Sequence, residues 1–194
     1  MNNFYTLFKE KYPHIDVDFI ADDMPQLMQM LDSNEIDCAL CTHFSTVKLT
    51  GLCAETLIWD QLGLVVNNQH PLSKKKTISL EDLDDLPLVS YSAEASPYVL
   101  EHTMEIFKEK GLKFHVSQYT HNLETALFLV DIGMGGFLLP THLSDHVANN
   151  LTFVPIEDEA FDVDLTLVYK KNNPNNSTEV FFKAFTNFIE TGKI

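Results

Sequence analysis

The chain is 194 residues long, 45% hydrophobic and 21% charged, with 13 Lys+Arg against 28 Asp+Glu and a formal net charge of −15; this is the composition of a folded protein, not a disordered one. All the basic residues are lysines and arginine is absent. That excludes every bidentate guanidinium contact to guanine, phosphate or carboxylate, and the acidic balance disfavours direct contact with a nucleic-acid backbone.

Phe4, Leu7, Phe8 and Tyr12 recur at helical spacing, and Pro13 stops that helix. Ile15, Val17 and Phe19 alternate with Asp16 and Asp18, the period of a half-buried strand over 15–20. Met24, Leu27, Met28 and Leu31 mark a second amphipathic helix, over 24–35, and 36–41 reads as a buried strand. Two further strands fit 52–58 and 61–67. His70-Pro71-Leu72 and the lysine triplet 74–76 mark a surface connection. A short helix follows, with Ser79 as N-cap and Asp82 in a capping-box position.

The alternation then resumes with a strand at 87–92. Leu100, Met104 and Phe107 share one helical face, and Gly111 ends that helix. A strand at 114–119 leads to Asn122, which can cap a helix through Ile132. Phe128, Leu129 and Ile132 make this helix apolar nearly all round, which predicts deep burial. A short strand at 136–140, a polar helix at 142–149 and strands at 151–156 and 163–170 follow. Phe181, Ala184, Phe185 and Phe188 define the last helix. Strands alternating with helices predict an α/β fold with mainly parallel pairing. The length suits one large domain or two small ones.

No stretch approaches the ~18 apolar residues of a membrane span. The start, Met1-Asn2-Asn3-Phe4, lacks the basic and apolar regions of a signal peptide. Cys38, Cys41 and Cys53 lie in strand-like surroundings, as reduced thiols of a cytoplasmic protein would.

The segments at the joints carry more information than the element order. Residues 8–13 read FKEKYP, 31–40 LDSNEIDCAL, 65–72 VVNNQHPL, 78–88 ISLEDLDDLPL, 133–140 GMGGFLLP and 167–171 LVYKK. In this order, over residues 4–188, they resemble the effector-binding (substrate-binding) domain of LysR-type transcriptional regulators. The resemblance implies two Rossmann-like subdomains with an interdomain cleft, the fold of type 2 periplasmic binding proteins. Regulatory subdomain I would comprise 1–67 plus 166–194, and regulatory subdomain II would comprise 68–165. A small-molecule effector would sit in the cleft and shift a homodimer or tetramer. DNA would be held only by an N-terminal winged helix-turn-helix, which this chain lacks. The helix at 24–35 would pack against the second subdomain of a partner, or simply on its own sheet.

One departure from the family concerns the strand that precedes the helix at Phe4 and lies centrally in the first sheet. Its absence would leave 15–20 and 36–41 without a shared partner, exposing backbone donors and acceptors. A perturbed first sheet is the expectation: either the sequence is a truncated piece that leaves this strand out, or the first subdomain compensates, by direct pairing of those two strands or by a strand from another chain.

In open α/β sheets, ligands sit beyond the carboxyl ends of the strands, near helix N-termini. That rule selects Thr42 and His43, then Ser90, Ser92 and Ser96, then Asn122, then Phe137 and Thr141. The resemblance places the effector at the same loops. The plainer alternatives are that the Ser and Asn residues only cap helices and that His43 is an ordinary surface histidine. Without arginine, an anionic effector would rely on N–H groups, hydroxyls and Lys48.

Three motifs carry other chemistries. Cys38-Ala39-Leu40-Cys41 spells C-x-x-C, but inside a strand an i, i+3 pair points to opposite faces, so a structural role is expected. His142 and His146 at i, i+4 loosely resemble an H-x-x-E-H zinc site with Asp145 in place of Glu; no third ligand is evident and no metal is expected. Gly133, Gly135 and Gly136 follow a helix and precede a strand, the reverse of a dinucleotide fingerprint. No cofactor and no catalytic residue is expected. The rival functions are a type 2 solute-binding protein of a transporter and an enzyme, for which no nucleophile–base set is legible.

Overall fold

The computed structural model describes residues 3–43 and 51–193. In chain order the elements are α1 (Phe4–Lys11), α2 (Met24–Ser33), β1 (Cys38–His43), β2 (Cys53–Asn67), β3 (Pro87–Tyr91), α3 (Pro97–Glu109), β4 (His115–Thr120), α4 (Leu123–Asp131), β5 (Gly136–Pro140), β6 (Leu151–Pro155), β7 (Asp162–Tyr169) and α5 (Ser177–Thr191). Short 3₁₀ helices occupy Pro71–Lys74, Leu80–Leu83, Thr141–His146 and Glu159–Phe161. The chain divides into two units, the first Met1–Cys41, Leu49–Ile58 and Leu165–Ile194, the second Thr42–Lys48 and Trp59–Asp164. Both β2 and β7 pass from one unit into the other.

In the first unit, α1 and α5 meet through aromatic rings. Phe4 packs edge-on against Phe181 and Phe185, at centroid distances of 5.5 and 4.8 Å, and Phe8 is fully buried beside them. Such edge-to-face pairs place the positive rim of one ring on the negative face of the next. A second cluster joins Leu31, Ala39 and Val168, with Leu27, Met28 and Ile36 packed on it. Helix α2 starts where the Asp23 carboxylate accepts the Gln26 N–H at 3.1 Å and ends at Asn34, whose φ of 60° supplies a left-handed cap. Strand β7 lies between β1 and β2, which leaves β1 at the end of the strand order.

The strand expected at 15–20 does not form. Side chains alternate only as far as Asp18, with Ile15 and Val17 half-buried beside Phe4 and Phe8 and with Asp16 and Asp18 exposed; Phe19, expected inward, is 72% exposed, and the segment joins no ladder among the described residues. A period-2 pattern specifies which way side chains point, whereas a strand also needs a hydrogen-bonding neighbour. Direct pairing of 15–20 with β1 is likewise not what the chain adopts.

In the second unit the rear half of β2 pairs antiparallel with β5 and β6, and β3 runs parallel to both β4 and β5. The strands expected separately at 52–58 and 61–67 are one strand, because Trp59 and Asp60 continue the ladder. Alternation along β2 and β3 divides the core into two clusters. Leu62, Leu64, Val66 and Leu88 join Ile106, Phe107 and Phe161, while Val65 and Val89 join Ala126, Val130 and Phe137. Helices α3 and α4 supply the two covers. Helix α4 is not buried all round: Ala126 and Val130 are fully buried, but Phe128 and Ile132 are 59% and 57% exposed. It packs one face on the sheet, and nothing in the chain covers the other among the described residues. The polar helix expected at 142–149 is the shorter 3₁₀ helix Thr141–His146, and the short helix after Ser79 is the 3₁₀ helix Leu80–Leu83, with the Asp82 carboxylate accepting the Ser79 N–H at 3.2 Å.

Candidate functional site

Because β3, β4 and β5 are mutually parallel, their C-terminal ends lie along one edge of the second unit's sheet. The loops leaving that edge carry most of the residues selected from sequence. Ser92 is the best anchored of them. Its N–H donates to the Thr120 carbonyl at 2.9 Å, tying the loop after β3 to the end of β4. Its hydroxyl accepts the Ala95 N–H at 3.3 Å and lies 3.2 Å from Nδ1 of His121. Ser92 is itself buried, so this small network is fixed by the fold.

Ser96 precedes α3 and does not cap it through its side chain. Pro97 at the first helical position has no N–H to offer, so the next N–H groups of that helix remain without a side-chain cap. By contrast α4 is capped, the Asn122 side chain accepting the Thr125 N–H at 2.9 Å. The hydroxyls of Ser90 and Ser92, the imidazole of His121 and the start of α3 thus converge on one rim. The Ser90 hydroxyl is turned onto its neighbour, donating to the Tyr91 carbonyl at 3.3 Å. Glu94 adds a carboxylate beside them. Its own backbone N–H, then the Ser92 hydroxyl, and more weakly His121 hold its carboxyl below the usual range, against a small opposing effect of burial.

The remaining candidates sit elsewhere. Phe137 is 2% exposed and packs edge-on to Tyr91 at 5.2 Å, inside the core. Thr141, at the end of β5, donates its hydroxyl to the Gln61 carbonyl at 2.8 Å. Thr42 is half-buried on β1, in the stretch of strand that ends at His43. The side chain of His43, and Lys48 altogether, lie outside the described residues.

One pair was not legible in the sequence. Asp60, on β2, accepts both the backbone N–H of His142 at 3.0 Å and its Nδ1 at 2.5 Å, and also the Gln61 N–H at 2.8 Å. The only signal was the i, i+4 spacing of His142 and His146, from which no metal site is expected and which says nothing of Asp60. The 3₁₀ geometry turns i and i+4 away from one another, and His142 serves the carboxylate instead. Among the described residues no group of three or more potential ligands could hold a metal ion. The C-x-x-C cysteines are free, and burial pushes Cys38 up to about 12 and Cys41 up to about 11, with Asp37 adding to the first.

The model of the LysR substrate binding domain family matches residues 4–189. The chain belongs to this family. Among its relatives, the HTH-type transcriptional regulator BudR of Raoultella terrigena is 21% identical over 182 residues, 92% of this chain and 61% of BudR. BenM of Acinetobacter baylyi, also an HTH-type transcriptional regulator, is 25% identical over 156 residues, 78% of this chain and 50% of BenM. This LysR substrate-binding domain therefore spans between about half and three-fifths of the length of such relatives. Two solved structures share its fold. The effector-binding domain of QuiR in complex with shikimate aligns at a TM-score of 0.82 and 18% identity, covering 99% of this chain and 91% of that one. The BenM effector-binding domain with benzoate aligns at 0.81 and 19%, covering 99% and 87%. The type 2 periplasmic-binding-protein-like α/β fold expected from the sequence is the fold of these domains. No helix among the described residues is long and apolar enough to cross a membrane.

Proposed function

We propose that this LysR substrate-binding domain senses a small carboxylate effector and works by binding, not turnover. The observation that carries the reading is the rim of the second unit, where the start of α3 has no side-chain cap on its N–H groups and stands beside Ser92 and His121. QuiR and BenM, whose effector-binding domains share this fold, are the proteins found with shikimate and benzoate. With no arginine in the chain, the carboxylate is held by the N–H groups at the start of α3 and by the His121 imidazole. Thermal shift against shikimate, benzoate and a panel of small carboxylates tests this. A specific effector raises the melting temperature with concentration, by about 2.7 kcal/mol of linkage at one hundred times its Kd, and Ser92→Ala removes the shift. A panel without effect, or a shift unchanged by Ser92→Ala, refutes the assignment.

The domain would dimerise, with DNA held by a separate basic segment of a full-length regulator; the charge of −15 suits this division of labour. Solution mass measured over a concentration series checks the dimer, and a monomer at every concentration overturns it.

A further inference from the structure

The loop leaving β5 carries an imidazole that the effector rim does not use. In the register of β2 with β5, Leu62 pairs with Pro140, so Asp60 stands opposite His142 two residues on. Oδ2 of Asp60 accepts both the backbone N–H of His142, at 3.0 Å, and its Nδ1, at 2.5 Å, while Oδ1 accepts the Gln61 N–H at 2.8 Å. The Thr141 hydroxyl, donating to the Gln61 carbonyl at 2.8 Å, fastens the same corner. All three bonds to Asp60 point into its carboxylate, and an ionised carboxylate only accepts. The proton in the ring bond therefore sits on Nδ1, and the neutral ring keeps its lone pair on Nε2.

Among the described residues nothing hydrogen-bonds to Nε2, nor do other ligands gather there for a metal ion. The side chain keeps 15% of its surface open, and Nε2 is not one of the buried polar atoms left without a partner. It thus meets solvent from a ring that is otherwise held on two sides. Its place in the sheet matters. Val89 on β3 pairs with Phe137 on β5, and Tyr91 pairs with Thr120 on β4. Carried on, these registers set His121, Ser92 and Pro140 level along one edge, with His142 two residues further. Neighbouring strands are ~4.8 Å apart, so one small molecule held at the end of β3 reaches the end of β5.

We propose that His142 is a specificity-determining contact for the effector: its Nε2 accepts a hydrogen bond from a hydroxyl, and the domain prefers a hydroxylated carboxylate to a plain one. The inference rests on the carboxylate reading above and adds a second point of recognition to it. A plain carboxylate that displaces water from Nε2 leaves this acceptor unpaired, which is where the discrimination comes from. Asp60 touches no effector in this scheme. It is a positioning residue, which decides the nitrogen that carries the ring proton and so the one that reads the ligand.

The test uses the 194-residue chain at pH 8. Long-range proton–nitrogen correlation of the imidazoles reads the tautomer without any effector, and His142 is expected with its proton on Nδ1 and a bare Nε2. Calorimetry then compares benzoate with 3-hydroxybenzoate, 4-hydroxybenzoate and shikimate. At least one hydroxylated acid should bind about threefold to tenfold more tightly than benzoate and shift the Nε2 resonance. In His142→Asn the amide N–H replaces Nδ1 toward Asp60, so the fold is kept while the ratio falls to about one. Asp60→Asn should mix the tautomers and lower the ratio, whereas a merely structural role would lower the melting temperature and move neither. A proton on Nε2 in the free chain overturns the proposal whatever binds. Benzoate binding as tightly as every hydroxylated acid, or a ratio unchanged in His142→Asn, also overturns it and leaves carboxylate sensing standing. If none of the four acids binds up to about 1 mM, both readings fall together.

Discussion

The Asp60 carboxylate takes two hydrogen bonds from a single residue, His142, one from its backbone N–H at 3.0 Å and one from its Nδ1 at 2.5 Å. The side chains are 7% and 15% exposed, so the pair links β2 to the end of β5 out of reach of bulk water. Burial alone would raise the Asp60 carboxyl, but the bonds from the His142 backbone and ring, with that of the Gln61 N–H, outweigh it and hold it below the usual 3.8. A carboxyl whose folded value is depressed contributes stability that is present above its unfolded value and lost as pH falls through the folded one. Asp60→Asn should therefore lower thermal stability at pH 7, by roughly 1–3 kcal/mol for a buried bonded carboxylate. The difference from the parent should shrink once the pH falls below 3.8. Melting curves of both proteins between neutral and acid pH check this, and a difference independent of pH would show that the charge is not what matters.

Gly135 provides a second prediction. Its φ is +151° and a Cβ there would lie 2.3 Å from the Pro87 carbonyl oxygen, a backbone atom that cannot step aside. Gly133 has a φ of +86° but open space around its Cβ position. Gly133→Ala thus adds only the left-handed strain, about 1–2 kcal/mol, whereas Gly135→Ala adds a clash where β5 enters its pairing with β3. The melting temperature should fall clearly further for Gly135→Ala. Equal losses would mean that the loop, not the contact, sets the cost.

These two sites show what the sequence could and could not reveal. The glycine run was readable as a turn into a strand, since conformation at a glycine is a local property. The partner of His142 was not, because Asp60 is 82 residues away and only the antiparallel pairing of β2 with β5 brings them together. The same limit applies to 15–20. Its alternation marks Ile15 and Val17 as inward but misplaces Phe19, which is 72% exposed, and whether a neighbour stands beside it depends on chain far away in sequence. The positions of Ser92 and Asn122, after β3 and at the start of α4, were legible because the rule behind them concerns strand ends and helix starts, which local pattern locates. Phe137 was selected by the same rule and sits in the core, since the rule finds the loop but not the side of the strand.

The C-x-x-C cysteines should behave as inert thiols. At pH 8, values of about 12 for Cys38 and about 11 for Cys41 leave thiolate fractions of about one in ten thousand and one in a thousand. Iodoacetamide should modify both slowly in the native chain and rapidly in urea, read by mass spectrometry of the labelled peptides. Rapid native labelling of Cys38 would contradict its burial and reopen a redox role.

Helix α4 separates two kinds of apolar residue that look alike in sequence. Val130 is fully buried between the helix and the sheet, next to Val89 and Phe137, while Phe128 is 59% exposed on the far face. Truncating Val130 to Ala removes two buried methyl groups and leaves a void, a loss of about 2 kcal/mol. Phe128→Ser gives up little of the fold's own burial and should stay within about 0.5 kcal/mol. The larger side chain thus matters less to folding, the opposite of the order expected from size alone. Phe128 and Ile132 also form an exposed apolar pair, and such a pair is retained more readily when a partner covers it. If the proposed dimer uses this face, Phe128→Ser should leave the melting temperature of the dilute chain unchanged while shifting the solution mass toward the monomer. An unchanged mass in a chain that does dimerise would place the interface elsewhere, with α2 the next surface to vary.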